Sequence, residues 1–372
     1  MKVGILTITD GQNYGNRLQN YAMQEMLKSI GLEVETIQRR TKRDLTGINK
    51  MKADMKYAIK RMIGYKCDHY RRIRKKRFSE FNNKYIKFSQ NILQNNIAPD
   101  GLNDKYDYFI VGSDQVWNAR LEIIKEDIKN HLAFFAEPEK KIAYAASFGT
   151  DDVVPEYESL FSEGLSTYKA IGVREDSGVD IVKKLCDRND ATVVLDPTMM
   201  LSVEQWRKLE KKPKYIQNQK YIVTYFLGGR GEKLTSYIKD IANKFQAEVI
   251  NLDIEFLLDN DIEDKNIFTT TPDEFVWLIE HAECVLTDSF HASVFSILFH
   301  RPFSTYERIA EEKENNMGSR IQTLLKKFGL LGFYGDIENP ILRPQTYDIS
   351  KINEVLEHER DTSIQFLKKA LY

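Results

Sequence analysis

Short apolar runs alternate with longer amphipathic stretches along most of the chain. Residues 3–8 (VGILTI) are strand-like, 14–30 carry helical spacing, and 33–38 return to strand character. This alternation predicts parallel βαβ units, because a parallel strand is buried on both faces and is reached by a helical crossover. Further buried strands are predicted at 106–112 (YDYFIVG), 141–147 (KIAYAAS), 169–174 (KAIGVR) and 192–197 (TVVLDP). The polar, lysine-rich stretch 210–220 (EKKPKYIQNQK) breaks the pattern and reads as a linker.

A second series follows the linker. It comprises a strand at 221–229, a helix to about residue 246, a strand at 247–252, a helix from near Pro272, a strand at 284–288, another helix, and the strand-like RPFSTY. The expected fold class is α/β, with two doubly wound Rossmann-like domains facing across a cleft, and ligands beyond the carboxyl ends of the strands. The expected boundaries are 1–205 for the N-terminal domain, with a basic helical segment at about 50–90, then 220–350 for the C-terminal domain and 351–372 for a terminal helix.

The length of 372 residues, 42% of them hydrophobic, is consistent with two cores. A net charge of −1 argues against a nucleic-acid partner. The cysteines, Cys67, Cys186 and Cys284, lie far apart without a CxxC, so neither a disulfide framework nor a zinc site is expected. The first apolar run is too short for the core of a signal peptide, and no run reaches the about eighteen apolar residues that span a bilayer. A cytoplasmic protein is expected.

Several strand ends carry chemistry. In YFLGGRGEKL, Gly228, Gly229, Arg230 and Gly231 lie between a strand and a helix, where free N–H groups and a guanidinium suit an anion; a plain tight turn is the alternative. In IGVREDSG the strand delivers Arg174 to its carboxyl end, pointing into the cleft or paired with Glu175, Asp176 or Asp196. FIVGSDQVWN ends a strand with Asp114, Gln115, Trp117 and Asn118, which suit the hydroxyls and apolar face of a sugar, or else form an Asp-capped turn with Trp117 in the core. In LTDSFHASVFSILFHRP, Asp288 or Ser289 can cap a helix whose first turn holds His291 at the cleft.

Seven segments, NYGNRLQNYAMQ, FIVGSDQVWN, YAASFG, GVREDSG, LDPTMML, DSFHASVFSILFHRPF and GSRIQTLL, occur in this order. As an ordered set they resemble the polysaccharide pyruvyl transferase family. The resemblance implies a glycosyltransferase-B-like fold and transfer of the enolpyruvyl group of phosphoenolpyruvate (PEP) to a sugar, closing a pyruvate ketal and releasing phosphate. It carries Arg174 and His291 over as PEP-site residues. The family's Arg-Leu-His appears here as Ser289, Phe290, His291, so the second anion contact must come from elsewhere, with Arg320 or Arg230 beside Gly229 as candidates.

His291 is the expected general acid, its ordinary pKa lying near neutrality. Asp114 is the expected base or sugar-orienting group, with Asn13, Tyr14, Asn16, Gln115, Trp117 and Asn118 toward the acceptor. No metal or cofactor is expected beyond PEP as donor co-substrate. Residues 60–87 hold eleven Lys or Arg against two acids, which reads as a solvated helical arm or as a basic face for anionic lipid or a lipid-linked sugar acceptor at the inner membrane face. A nucleotide-sugar glycosyltransferase and a non-catalytic glycan-binding protein are the alternative function classes.

Overall fold

The computed structural model describes residues 1–9, 11–40, 51–52, 55–56, 67–253, 266–308, 318–338, 340 and 347–372. The first domain contains β1 (Lys2–Leu6), β2 (Glu33–Arg40), β3 (Phe88–Gln94), β4 (Tyr108–Val111), β5 (Lys141–Ala146), β6 (Ala170–Val173) and β7 (Thr192–Val193). They form one sheet in the order β3-β2-β1-β4-β5-β6-β7. The second contains β8 (Tyr221–Tyr225), β9 (Glu248–Asn251), β10 (Cys284–Thr287), β11 (Phe303–Tyr306) and β12 (Tyr334–Gly335), in the order β12-β11-β10-β8-β9. Every ladder among the described residues is parallel. The chain therefore folds as two doubly wound α/β domains, the glycosyltransferase-B-like class.

Strand order reverses between β1 and β4 in one sheet and between β8 and β10 in the other. Such reversals open a crevice at the carboxyl ends of the strands. The segments that leave β4 and β10 there are Gly112–Asn118 and Asp288–His291, so topology alone brings two of the chemically marked corners to the crevices.

The domains also pack on one another. Tyr14, first residue of the Tyr14–Ser29 helix, stacks on Phe275 of the Pro272–Glu280 helix with ring centroids 4.5 Å apart. Trp206 meets Phe295 edge-on at 4.8 Å. Both pairs belong to one buried cluster drawn from both domains. Truncating an aromatic such as Phe275 to Ala would cost about 3–5 kcal/mol.

The basic segment is only partly a solvated arm. Its Cys67–Tyr85 helix exposes Arg72, Lys75 and Lys76 but buries Arg74, Phe78 and Phe81. Arg74 donates to Tyr14 Oη at 2.8 Å and to the Gln12 carbonyl at 2.6 Å, with its guanidinium over the Tyr14 and Phe78 rings. The helix ends at Tyr85, and 88–94 is the edge strand β3, so the predicted helical span to about 90 runs too long. Residues 41–50, 53–54 and 57–66 of this region lie outside the described residues.

The terminal helix, Ile349–Leu371, returns to the first domain. Asp348 caps its start by accepting from Lys351 N at 3.1 Å. Leu367, Ala370 and Leu371 join the core with Val3 and Ile5, while Arg360 donates to the carbonyls of Met199 and Leu201 at 2.7 Å. Among the described residues no helix is long and apolar enough to cross a membrane.

Candidate active site

A cavity of ≈ 210 Å³ opens where the two strand-order reversals meet. From the first domain it is lined by Asn13, Asn16, Asp114 and Gln115, and from the second by Ser289, Phe290, His291, Arg308 and Arg320. Ile8, Leu121, Ile123 and Leu227 supply apolar wall, and Gly11 also lines it. Eight residues singled out in the sequence are thus brought together, while Arg308 and the apolar wall were not foreseen.

The segment after β4 positions Asp114. Its backbone carbonyl accepts from Ser147 N at 3.0 Å and Val116 N at 2.8 Å, which anchors the turn. Its Oδ1 accepts from Arg174 Nη2 at 3.3 Å, and its Oδ2 accepts from Asn16 Nδ2. Asn16 in turn lies in the first turn of a helix whose cap, Asn13, accepts from the Asn16 amide at 3.4 Å.

Arg174 stands at the end of β6 but does not line the cavity. Its Nη1 donates to Asp196 Oδ2 at 3.0 Å, and its guanidinium lies 4.4 Å from the centre of the Phe290 ring. The ion-pair alternative weighed from the sequence is the arrangement found, and the expectation of an arginine pointing freely into the cleft is corrected. Burial disfavours the charge on Arg174, but Asp114, Asp196 and Glu175 outweigh it and raise its pKa.

Asp196, in LDPT, is the hub that the sequence reading did not single out as a site residue. Its Oδ2 accepts from Ser113 Oγ at 2.6 Å, its Oδ1 from Thr198 N and Oγ1 at 3.0 and 2.6 Å, and His291 Nε2 lies 3.8 Å away. Burial would raise this carboxyl, but the adjacent His291 and Arg174, with the Ser113 hydroxyl, hold it far below the usual carboxylate range. An aspartate followed by proline at a strand end was the available signal.

His291 is buried, and its Nε2 has no hydrogen-bond partner among the described residues, because the 3.8 Å to Asp196 is too long for one. Arg320, in the Ser319–Lys327 helix, is 4% exposed and makes no hydrogen bond or ion pair with any described residue. Burial, then the like charges of Arg174 and Arg308, push its pKa down to about 9, against the pull of Glu175 and Asp114. A buried cation without a partner is costly, and an anion in the cavity would relieve it. Arg308 follows β11 and donates from Nε to Asp288 Oδ2 at 3.2 Å. A basic residue just past a strand's carboxyl end was its sequence signal.

The glycine-rich turn is corrected as an anion cradle. Leu227 N and Gly228 N donate to the Asp288 carboxylate at 2.7 and 2.9 Å, so the anion they hold is the chain's own. Asp288 consequently does not cap the helix of His291, whose cap position is Ser289. Arg230 donates to Asp253 at 2.8 Å, and neither Gly229 nor Arg230 lines the cavity.

Three acceptor-side expectations are also corrected. Trp117 is 1% exposed, donates to the His131 carbonyl at 3.2 Å and packs on Phe148 and Tyr168 in the core. Asn118 is spent within its turn, donating to Gln115 Oε1 at 2.7 Å and accepting from Arg120 N at 3.0 Å. Tyr14 lies in the interdomain cluster instead of facing the cavity.

Among the described residues, Glu210, Glu280 and His281 bring ligand-type atoms within 4.8 Å of one another. None lines the cavity, and Arg207 already donates to Glu280 at 2.7 Å.

The family model of polysaccharide pyruvyl transferase matches residues 13–307. The chain belongs to this family. No curated protein matches the sequence. Among solved structures, the chain is similar to UDP-GlcNAc 2-epimerase from Neisseria meningitidis bound to UDP-GlcNAc, with 12% identity, TM-score 0.46, and coverage of 99% of this chain and 100% of that one. It is similar to the UDP-GlcNAc 2-epimerase of Methanocaldococcus jannaschii at 12% identity and TM-score 0.49, covering 96% and 92%. A third likeness is to the Escherichia coli ADP-heptose LPS heptosyltransferase II, at 11% identity and TM-score 0.34, covering 99% of each chain. None of these likenesses bears on substrate.

Proposed function

We propose that this pyruvyl transferase family member moves the enolpyruvyl group of PEP onto a sugar of a polysaccharide or of its lipid-linked precursor, closing a pyruvate ketal. The observation that carries the reading is Arg320, a buried cation that no described residue pairs with, lining the same cavity as His291, whose buried Nε2 has no hydrogen-bond partner among the described residues. PEP brings two anionic groups. In this reading Arg320 takes one, and Arg308, with the N-terminus of the Phe290–Leu298 helix, takes the other. Arg174 acts at one remove, fixing Asp114 and Asp196.

In this reading the residues take the following roles. His291 Nε2 gives its proton to the methylene carbon of PEP, which makes the neighbouring carbon electrophilic. A sugar hydroxyl attacks that carbon and loses its proton to Asp114. Departure of phosphate leaves an oxocarbenium centre, and a second sugar hydroxyl captures it to close the ketal, its proton leaving with the phosphate. The exposed Arg72, Lys75 and Lys76 are suited to the diphosphate or headgroups of a lipid-linked acceptor.

The test is a thermal-shift comparison of PEP with UDP- and GDP-sugars, followed by assay of phosphate release with glycan acceptors. Stabilisation by PEP alone is expected. Stabilisation by a nucleotide sugar and none by PEP would overturn the reading in favour of a glycosyltransferase.

A further inference from the structure

Gly15 stands in the first turn of the Tyr14–Ser29 helix, is buried, and is not in the left-handed region. Its backbone therefore does not require glycine, and alanine is the better helix former. What requires glycine is the space. A Cβ at residue 15 would lie 2.1 Å from His291 Nδ1, 2.5 Å from Cγ and 2.8 Å from Cε1. The imidazole from the second domain thus rests directly on the backbone of a first-domain helix, and the same ring places Nε2 3.8 Å from Asp196, also of the first domain. His291 is buried, with the Gly15 backbone against one side of its ring and the cavity beside it.

We infer that Gly15 is a positioning residue for His291: the missing side chain is the seat that sets the imidazole between Asp196 and the cavity across the domain interface. The inference rests on the proposed reading only for the role of His291 in catalysis, since the seat itself is geometry. Any side chain at residue 15 must displace the ring or part the domains. Either movement shifts Nε2 relative to both Asp196 and the cavity, and a displacement on the order of 1 Å can cost about 10²-fold in rate.

The experiment is a double-mutant cycle on the full chain with Gly15→Ala and His291→Ala, read first by urea denaturation and then by turnover. In the wild-type background Gly15→Ala is expected to lower the unfolding midpoint despite the better helix propensity of alanine. In the His291→Ala background, where the ring is gone, the same substitution is expected to be neutral or to raise the midpoint. A Gly15→Ala protein that folds only in the His291→Ala background supports the inference in the same way. On the otherwise wild-type chain, kcat for pyruvyl transfer should fall at least about tenfold while the PEP dissociation constant stays within about twofold. Equal effects of Gly15→Ala on the midpoint in both backgrounds would overturn the seat, even if PEP turnover stands. An intact stability coupling with no PEP binding or turnover in the parent protein would instead overturn the proposed function and leave the seat standing.

Discussion

Arg174 donates to Asp196 at 3.0 Å with both side chains almost wholly out of water. Charges so placed are held by each other: the low dielectric that makes their removal from water costly also makes the pair hard to break. Because Arg174 reaches Asp114 as well, and Asp196 lies beside His291, this pair ties together the acid and the base of the proposed reaction.

Asp196→Asn should therefore do more than weaken binding. It leaves Arg174 with one carboxylate partner, and breaking a buried pair costs about 3–5 kcal/mol, measurable as a lower urea midpoint. The pH dependence has a definite sign. The Asp196 carboxyl is depressed in the folded protein, below the about 3.9 of an unfolded aspartate, so its stabilisation is complete above that value and is lost as pH falls through the folded value. Below about pH 4 the wild type should lose stability more steeply than Asp196→Asn. Parallel stability curves for the two proteins would show that Asp196 carries no such linkage.

Arg320→Ala should separate binding from stability. The substitution removes a buried cation that no described residue pairs with, so the ligand-free protein should melt at the same temperature or higher. PEP affinity should drop at least tenfold, about 1.4 kcal/mol, by calorimetric titration. Unchanged affinity with a destabilised apo protein would make Arg320 a structural residue and leave Arg308 as the cation to test.

The strands that could be read from the sequence are those buried on both faces. FIV in β4, AYAA in β5 and CVLT in β10 are continuous apolar or small-residue runs, and each is buried throughout. The edge strand β3, FSQNILQ, is half polar because one side meets solvent, and it was absorbed into the basic segment before it. At the site, strand-end positions were legible because βαβ topology aims them at the cleft: His291 and Asp114 line the cavity, and Arg320 reaches it from the start of a helix. Side-chain direction was not legible. Trp117 and Tyr14 are close in sequence to lining residues yet point into cores, and the glycine-rich turn looked open because its anion, Asp288, is 60 residues away from Gly228. The seat at Gly15 depends on a contact between domains, which no local pattern records.

His291→Gln keeps a polar side chain at the site but removes the acid. Since a general acid acts mainly in the transition state, turnover should fall by about 10²- to 10⁴-fold while PEP still raises the melting temperature. Single-turnover measurement with PEP and acceptor checks this directly. A variant that retains more than about a tenth of the wild-type rate would place the acid elsewhere.

Outside the site, Glu210 should give the protein a second pH dependence of opposite sense. It follows the helix of Trp206 in the segment between the two sheets, with Arg207, Glu280 and His281 as its charged or titratable neighbours. Burial, with the Glu280 carboxyl beside it, raises the Glu210 carboxyl to about 8 against the opposing charge of Arg207. An unfolded glutamate titrates near about 4.3, so between these values the native state holds a proton that the unfolded state has released. Stability from this group is thus present below the unfolded value and lost as pH rises toward the folded one. Glu210→Gln mimics the protonated form at every pH. It should match the wild type in melting temperature near about pH 5 and exceed it near about pH 9. Because the group is partly exposed, solvent screening keeps the gain small, and the diagnostic quantity is the change in the difference between the two proteins across this range. A difference that stays constant with pH would mean that Glu210 and Glu280 share no proton in the folded protein.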